Sequence, residues 1–367
     1  MQSIAIFYAS EGTGHKIAAE NLAEQFRLQN PDGNVLCFDI LDCVPKLLKL
    51  GFSNYYLWTV RYLPKLWGAS YRSSDKQGLT KFCCDTAHSL LCKLFLSRAE
   101  KKARQIGAEA VFFTHYFGAE HFAKRNPDIK TFCITTDFET HTFQRAGKFC
   151  ASFVASEAAL AQYAKENISP VYFTGIPIAQ KFSQLPSKEL ARQQLGISFD
   201  TKVILISGGG IGVGNIEEIT SSLATCNTWQ IIVICGNNKH LEKKLEKKYA
   251  KIKNVRIHGF VSNIELYYKA ADIAIVKPGG LTLAETLACQ VPLLLMQPVP
   301  GQEECNLRCV CNEIAAIKLN NGKHAFDTVK MLFEQPQKLT KLQENAKRIA
   351  KPNAAKKILD IASTYCN

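Results

Sequence analysis

The stretch Ile273–Asn306, IAIVKPGGLTLAETLACQVPLLLMQPVPGQEECN, decides how the rest of the chain is read. Its opening apolar run, Ile273 to Val276, has the length and composition of a buried strand. Pro278-Gly279-Gly280 breaks the extended pattern, and apolar residues return at helical spacing from Leu281 to Cys289. The order is strand, glycine turn, helix. A helix that begins directly behind two glycines aims unpaired backbone N–H groups and the positive end of its dipole at the turn, and glycine lets a ligand approach the backbone closely. A phosphate is the natural occupant. Thr282 adds a hydroxyl in the first turn, and Glu285, one turn further on the same face, can bond two neighbouring sugar hydroxyls. A second strand, Pro292 to Met296, ends in the rigid turn Gln297-Pro298-Val299-Pro300-Gly301. That turn delivers Gln302, Glu303 and Asn306 to the start of another helix.

A lone Pro-Gly-Gly is ordinary helix-start chemistry. The ordered set Lys-Pro-Gly-Gly-Leu-Thr, then Glu285, then Pro-Gly-Gln-Glu and Asn306 is narrower. It resembles the nucleotide-sugar end of the GT-B glycolipid glycosyltransferases, the monogalactosyldiacylglycerol synthase and processive diacylglycerol glucosyltransferase family, with MurG as a distant relative. The resemblance implies two Rossmann-like α/β domains facing an interdomain cleft. It also implies that Gly279, Gly280 and Thr282 hold the diphosphate of a UDP-sugar, that Glu285 holds the ribose, and that Gln302 and Glu303 meet the donor sugar. Asn306, whose amide is of the kind that sorts hydroxyl patterns, is a further candidate for binding the nucleotide-sugar.

Working outward, 367 residues with 47% hydrophobic content suit two domains of about 180 residues each. No run approaches the ~18 apolar residues of a membrane span, and Met1 to Ser3 lead into an apolar strand without a signal segment. The expectation is a cytoplasmic protein, peripheral on the cytoplasmic face of a membrane. The 14 cysteines, several inside apolar segments (Cys37, Cys133, Cys235), read as reduced core residues. Cys305, Cys309 and Cys311 lack the spacing of a zinc finger or ribbon, so no metal site is expected. The net charge of +13 calls for an anionic partner.

Near the N-terminus, Ile4 to Ala9 is a strand-length run followed by the turn Ser10-Glu11-Gly12-Thr13-Gly14-His15 and an amphipathic helix from Lys16 to about Gln29. The third glycine of a dinucleotide fingerprint is missing, which argues against a nicotinamide cofactor. The resemblance covers this turn too and implies that Gly12, Gly14 and His15 face the cleft. His15 is a candidate general base, since an imidazole titrates near neutrality.

The segment Val44 to Gln105 carries twelve Lys or Arg against three acids, or +9 of the total. Lys46, Lys49, Arg61 and Lys65 alternate there with Trp58, Trp67, tyrosines and leucines. Two readings stand side by side: a surface lying on anionic lipid headgroups, or aromatic core with a solvated basic face. No nucleic-acid recognition module accompanies the charge.

The α/β rhythm then returns with strands at Ala110–Thr114, Thr131–Thr135, Ser152–Ala155 and Val171–Thr174. Asp137 follows one strand end, where open α/β sheets carry their sites, and is the second candidate base. The family pattern of Thr-Asp, His and a later aromatic is kept at Asp137 and His141, but Gln144 stands where the aromatic is usual. That departure bears on acceptor recognition. Gly175-Ile176-Pro177-Ile178 resembles the family's domain link, giving expected domains at 1–182, for acceptor and membrane, and 183–367, for UDP-sugar. In such proteins the last helix often crosses back to the first domain. Lys202 to Ser207 opens the second domain and runs into Gly208-Gly209-Gly210-Ile211-Gly212-Val213-Gly214, a density of glycine that signals close approach. His258-Gly259-Phe260-Val261 resembles the loop that holds uracil in relatives.

The function expected is an inverting, UDP-sugar-dependent hexosyltransferase acting on a lipid hydroxyl such as that of diacylglycerol, with no cofactor and no metal requirement. The alternatives are a non-hydrolysing nucleotide-sugar epimerase, which shares the fold, and a non-catalytic sugar-nucleotide binder. The oligomeric state is not encoded in any motif.

Overall fold

The structure, a computed structural model, describes residues 1–10, 13–45, 59, 63–75 and 79–366. Contacts divide the chain into two units. The first comprises Met1–Gln180, Val299–Cys305 and Asn353–Asn367, and the second Lys181–Pro298 and Asn306–Pro352. The division differs from one cut at 182: the Val299–Cys305 turn and the terminal segment join the first unit.

The first unit is built on a parallel sheet of six described strands: β1 (Ser3–Tyr8), β2 (Asn34–Asp39), β3 (Ala110–Phe113), β4 (Lys130–Ile134), β5 (Ala151–Val154) and β6 (Val171–Phe173), in the order β2-β1-β3-β4-β5-β6. Near-continuous apolar runs such as AVFF in β3 are what a parallel sheet covered on both faces requires, and all four of those residues are buried. One face packs an aromatic cluster in which the Phe7 ring meets Phe113 at 5.3 Å and Phe122 at 5.7 Å, edge to face. On the other face the helix Ala354–Ser363 lays Ala355, Ile358, Leu359 and Ala362 against Ile4, Ile6, Ala19 and Leu22. The apolar spacing of that helix, one residue every three or four, gives it a single face to bury.

The second unit repeats the plan with β7 (Lys202–Ser207), β8 (Trp229–Ile234), β9 (Val255–His258), β10 (Ile273–Val276), β11 (Leu293–Leu295) and β12 (Ala316–Lys318), ordered β12-β11-β10-β7-β8-β9. Its core joins Ile204, Ile206, Val233 and Ile275 to Ile216, Leu223, Val329 and Leu332 of the covering helices. Pro352 separates the helices Pro336–Ile349 and Ala354–Ser363, as its missing N–H dictates.

Ile358 is fully buried whereas Lys357 beside it is exposed. Ile358→Ala is expected to destabilise the first unit by about 2–5 kcal/mol, and Lys357→Ala by no more than ~0.5 kcal/mol. Denaturant titration with hydrogen exchange at the β1 and β3 amides measures both.

Candidate functional site

Each sheet reverses its strand order once, and the candidate functional side chains gather at those reversals. In the second unit the chain proceeds from β7 outward through β8 and β9, then returns to β10 and proceeds the other way, so the reversal lies between β7 and β10. Ser207 and Val276 pair across it at the carboxyl ends, where open α/β sheets leave a crevice. Both glycine turns start there. Gly209 has φ +71°, and a Cβ built on it would lie 3.5 Å from Thr282 Oγ1 and 3.8 Å from Lys277 Cε. A Cβ on Gly279 would lie 3.6 Å from Lys277 Nζ and 3.9 Å from Thr282 Oγ1. An ammonium and a hydroxyl therefore sit between two bare stretches of backbone. The helix Gly280–Ala288 opens behind Gly279, which has no side chain to cap its first N–H groups.

Glu285 follows Thr282 by three residues and is half-buried. Burial raises its pKa to about 8, with Lys181 opposing and Glu265 reinforcing the rise. A carboxyl held neutral donates one hydrogen bond and accepts another, which suits a vicinal diol. Phe260, just past β9, is 61% exposed, and Val261 is half-buried. Gly208 directly follows Ser207 and is buried; a Cβ built on it would collide with the Val213 carbonyl oxygen.

Asn306 was expected against the donor, and the structure corrects this. Its side chain is fully buried and donates to the Pro278 carbonyl at 3.2 Å, which fixes the Pro-Gly-Gly turn from behind. Gln302 and Glu303 go with the first unit. There the Glu303 carboxylate accepts the Val299 N–H at 3.0 Å, and Glu304 accepts the Gly301 N–H at 3.1 Å and pairs with Arg72 at 3.0 Å. Gln302 differs from both, because its buried Oε1 has no hydrogen-bond partner. An unsatisfied buried acceptor is costly, and a ligand hydroxyl would satisfy it.

In the first unit the reversal lies between β1 and β3, with Phe7 opposite Phe113. His15 stands in the first turn of the helix Thr13–Gln29, beside Gly14. Its Nδ1 is 2.8 Å from the Thr114 carbonyl and 2.8 Å from Thr136 Oγ1, while Thr114 Oγ1 donates to the His15 carbonyl at 3.0 Å. A carbonyl can only accept, so Nδ1 carries the proton and Nε2 keeps the lone pair. Burial lowers the His15 pKa, and the nearby Asp137 carboxylate raises it in part. The imidazole is thus neutral near pH 7, with its basic nitrogen defined.

His141 was expected at the acceptor, and here too the structure assigns another task. It is buried, its Nδ1 accepts the Phe143 N–H at 3.3 Å, and its Nε2 lies 3.3 Å from Ser74 Oγ and 3.4 Å from the Tyr71 carbonyl. Gln144 accepts the His141 N–H at 2.9 Å and closes a capping box on the helix Thr142–Arg145. The departure at Gln144 is therefore a helix cap. Lys65 is exposed and Trp67 half-buried. Gly12, Lys46, Lys49, Trp58 and Arg61 lie outside the described residues.

Three side chains escaped assignment from the sequence: Lys277, Thr114 and Thr136. Lys277 stands within the quoted stretch, but an isolated lysine after a strand carries no signal until two turns are seen to converge on it. Thr114 and Thr136 ended or followed apolar runs, and only the fold shows that both meet His15.

Two parallel α/β sheets, each with its polar side chains at the order reversal, constitute a GT-B fold. The same fold is found in Acinetobacter baumannii MurG, with a TM-score of 0.60 at 17% identity, covering 99% of this chain and 100% of that one. It is also found in a UDP-GlcNAc 2-epimerase from Neisseria meningitidis bound to UDP-GlcNAc, with a TM-score of 0.62 at 15% identity, covering 99% of this chain and 100% of that one. Residues 15–178 match the family model for monogalactosyldiacylglycerol (MGDG) synthase, and residues 187–349 match that for glycosyl transferases group 1. The chain is 34% identical over 240 residues to a processive diacylglycerol beta-glucosyltransferase of Bacillus licheniformis, an alignment covering 63% of this chain and 61% of the relative. The resemblance to glycolipid glycosyltransferases read from the motifs holds in both units.

The raised pKa of Glu285 makes a directional prediction. Its folded value, about 8, exceeds the reference 4.5, so the folded state binds the extra proton between those limits and wild-type stability falls as pH rises through them. Glu285→Gln removes this slope. Ligand-free thermal melts should show the variant gaining on wild type at pH 8–9 and showing no such gain at pH 4.5.

Proposed function

We propose that this protein transfers a hexosyl group from a UDP-sugar to the hydroxyl of a lipid such as diacylglycerol, with inversion at the anomeric carbon. The observation that carries the reading is the convergence of the Gly209 and Gly279 turns on Lys277 and Thr282, in a chain whose first half matches the MGDG synthase model. The acceptor oxygen attacks the anomeric carbon as the bond to the β-phosphate oxygen breaks. His15 Nε2 takes the hydroxyl proton, and Asp137 favours the imidazolium that results. UDP leaves with its charge facing Lys277, the Thr282 hydroxyl and the open N–H groups of the helix Gly280–Ala288, electrostatic support that asks for no divalent ion. Glu285 bonds the ribose hydroxyls, and Gln302 Oε1 takes a hydroxyl of the donor sugar.

The lipid acceptor requires contact with a bilayer. Among the described residues no helix is long and apolar enough to cross one. The basic segment nevertheless exposes Leu63 (41%), Leu66 (56%), Leu90 (58%) and Leu94 (60%), beside Lys65 and Lys93. Exposed leucines among cations suit the interface of an anionic membrane, and the enzyme would work on the cytoplasmic face.

The test is UDP release from UDP-glucose or UDP-galactose, with diacylglycerol in anionic liposomes and chelator present. Glu285→Ala should weaken UDP binding by about 1–3 kcal/mol in calorimetry, two neutral hydrogen bonds at ~0.5–1.5 kcal/mol each. His15→Ala should keep UDP affinity and lose at least ~10² in turnover, and Asp137→Asn should move the acidic limb of the rate profile to lower pH. Interconversion of UDP-GlcNAc with UDP-ManNAc in the absence of lipid would replace this reading with the epimerase.

A second measurement addresses the membrane. The protein should sediment with anionic liposomes at low salt, remain free with zwitterionic ones and be released as salt rises. Leu90→Ser with Leu94→Ser should weaken sedimentation and leave UDP affinity unchanged. Wild-type protein that ignores anionic liposomes would remove the lipid surface from the proposal.

A further inference from the structure

Away from the two sheet reversals, three potential metal ligands meet where the helix Leu79–Phe95 lies against the helix Ala119–Arg125. His88 and Cys92 stand one turn apart on the first helix, and His121 faces them from the second. One donor atom from each lies within 4.8 Å of the others. We propose that His88, Cys92 and His121 bind one thiophilic divalent cation of the zinc class, which staples the two helices together.

The ring of His121 carries the argument furthest. Its Nδ1 is buried without a hydrogen-bond partner, while its Nε2 lies 3.1 Å from Ser89 Oγ. A neutral imidazole that donates Nε2–H to a hydroxyl presents a bare lone pair at Nδ1, which is how metal-binding histidines are oriented by a second residue. Cys92 is 1% exposed. Cation binding would expel its thiol proton and leave a thiolate paired with positive charge.

Two imidazoles and a thiolate form a borderline-soft donor set that favours zinc over magnesium or calcium and leaves a fourth position for water. Ligand atoms around a tetrahedral zinc sit roughly 3.3–3.6 Å apart given usual bond lengths, so the three side chains close by about 1 Å. His88 makes the larger adjustment: its Nε2 accepts the Gly118 N–H at 3.1 Å, and that bond is exchanged for the metal bond. Nothing in the spacing of the sequence announces the site, because its ligands come from helices about thirty residues apart.

The experiment uses the whole chain, reduced, stripped with chelator and titrated with cobalt(II) as a spectroscopic stand-in for zinc. One equivalent is expected to give the visible bands of tetrahedral cobalt and a thiolate-to-cobalt charge-transfer band, with zinc displacing both. Cys92→Ser should abolish the charge-transfer band. His121→Gln should weaken zinc binding by more than about 100-fold, and Ser89→Ala by roughly 10-fold while keeping the band. Circular dichroism of each variant separates lost folding from lost binding, and Cys226→Ser, remote in sequence from the cluster, should change nothing. Absence of a charge-transfer band in the wild type, or its survival in folded Cys92→Ser, would overturn the site.

Discussion

The second unit depends on a backbone approach that admits no side chain. The loop after β7 passes so close to the next strand's exit that a Cβ on Gly212 would collide with the Cys235 carbonyl. The Asn237 N–H donates to the Gly210 carbonyl at 2.9 Å, and the Asn238 amide donates to the Gly212 carbonyl at 2.9 Å. These bonds hold the loop against the β8 exit, and the loop in turn sets Gly209 opposite Lys277 and Thr282. Any side chain at Gly212 would move the loop and open the space between the two turns. Gly212 is thus required by backbone geometry, whatever the loop binds.

The two units solve the same problem with different chemistry. Each places its polar groups where the strand order reverses. In the second unit the reversal gathers positive charge and bare N–H groups, suited to an anion. In the first it gathers a histidine whose protonation is fixed by a main-chain carbonyl. Carbonyl control is firmer than control by a carboxylate, because Thr114 O cannot titrate. Asp137 is then free to act on the charge of the ring without having to set its tautomer.

Much of this was legible in the chain. Apolar runs broken by glycine located the strands that flank both reversals, and of the residues singled out in the sequence, Gly279 and Thr282 stand at one reversal and His15 beside the other. Asn306 and His141 were misjudged for a common reason: residue type suggests what a side chain can bond, and only packing decides what it does bond. Asn306 spends its amide on Pro278, and His141 spends both nitrogens on its own neighbourhood. Lys277, Thr114 and Thr136 were passed over because their importance arises from pairs of segments distant in sequence. The same limitation hides any site assembled from separate helices.

The terminal helix has a consequence for how the protein is made. Ile358, Leu359 and Ala362 complete the apolar layer over β1, a strand made about 350 residues before them. Until residues 354–363 are made, that face of the sheet is covered only in part, by the helix Thr13–Gln29, although the second unit's strands have already been synthesised between the two. The N-terminal unit is therefore begun first and finished last. Its apolar layer is closed only when the last of its helices has been made.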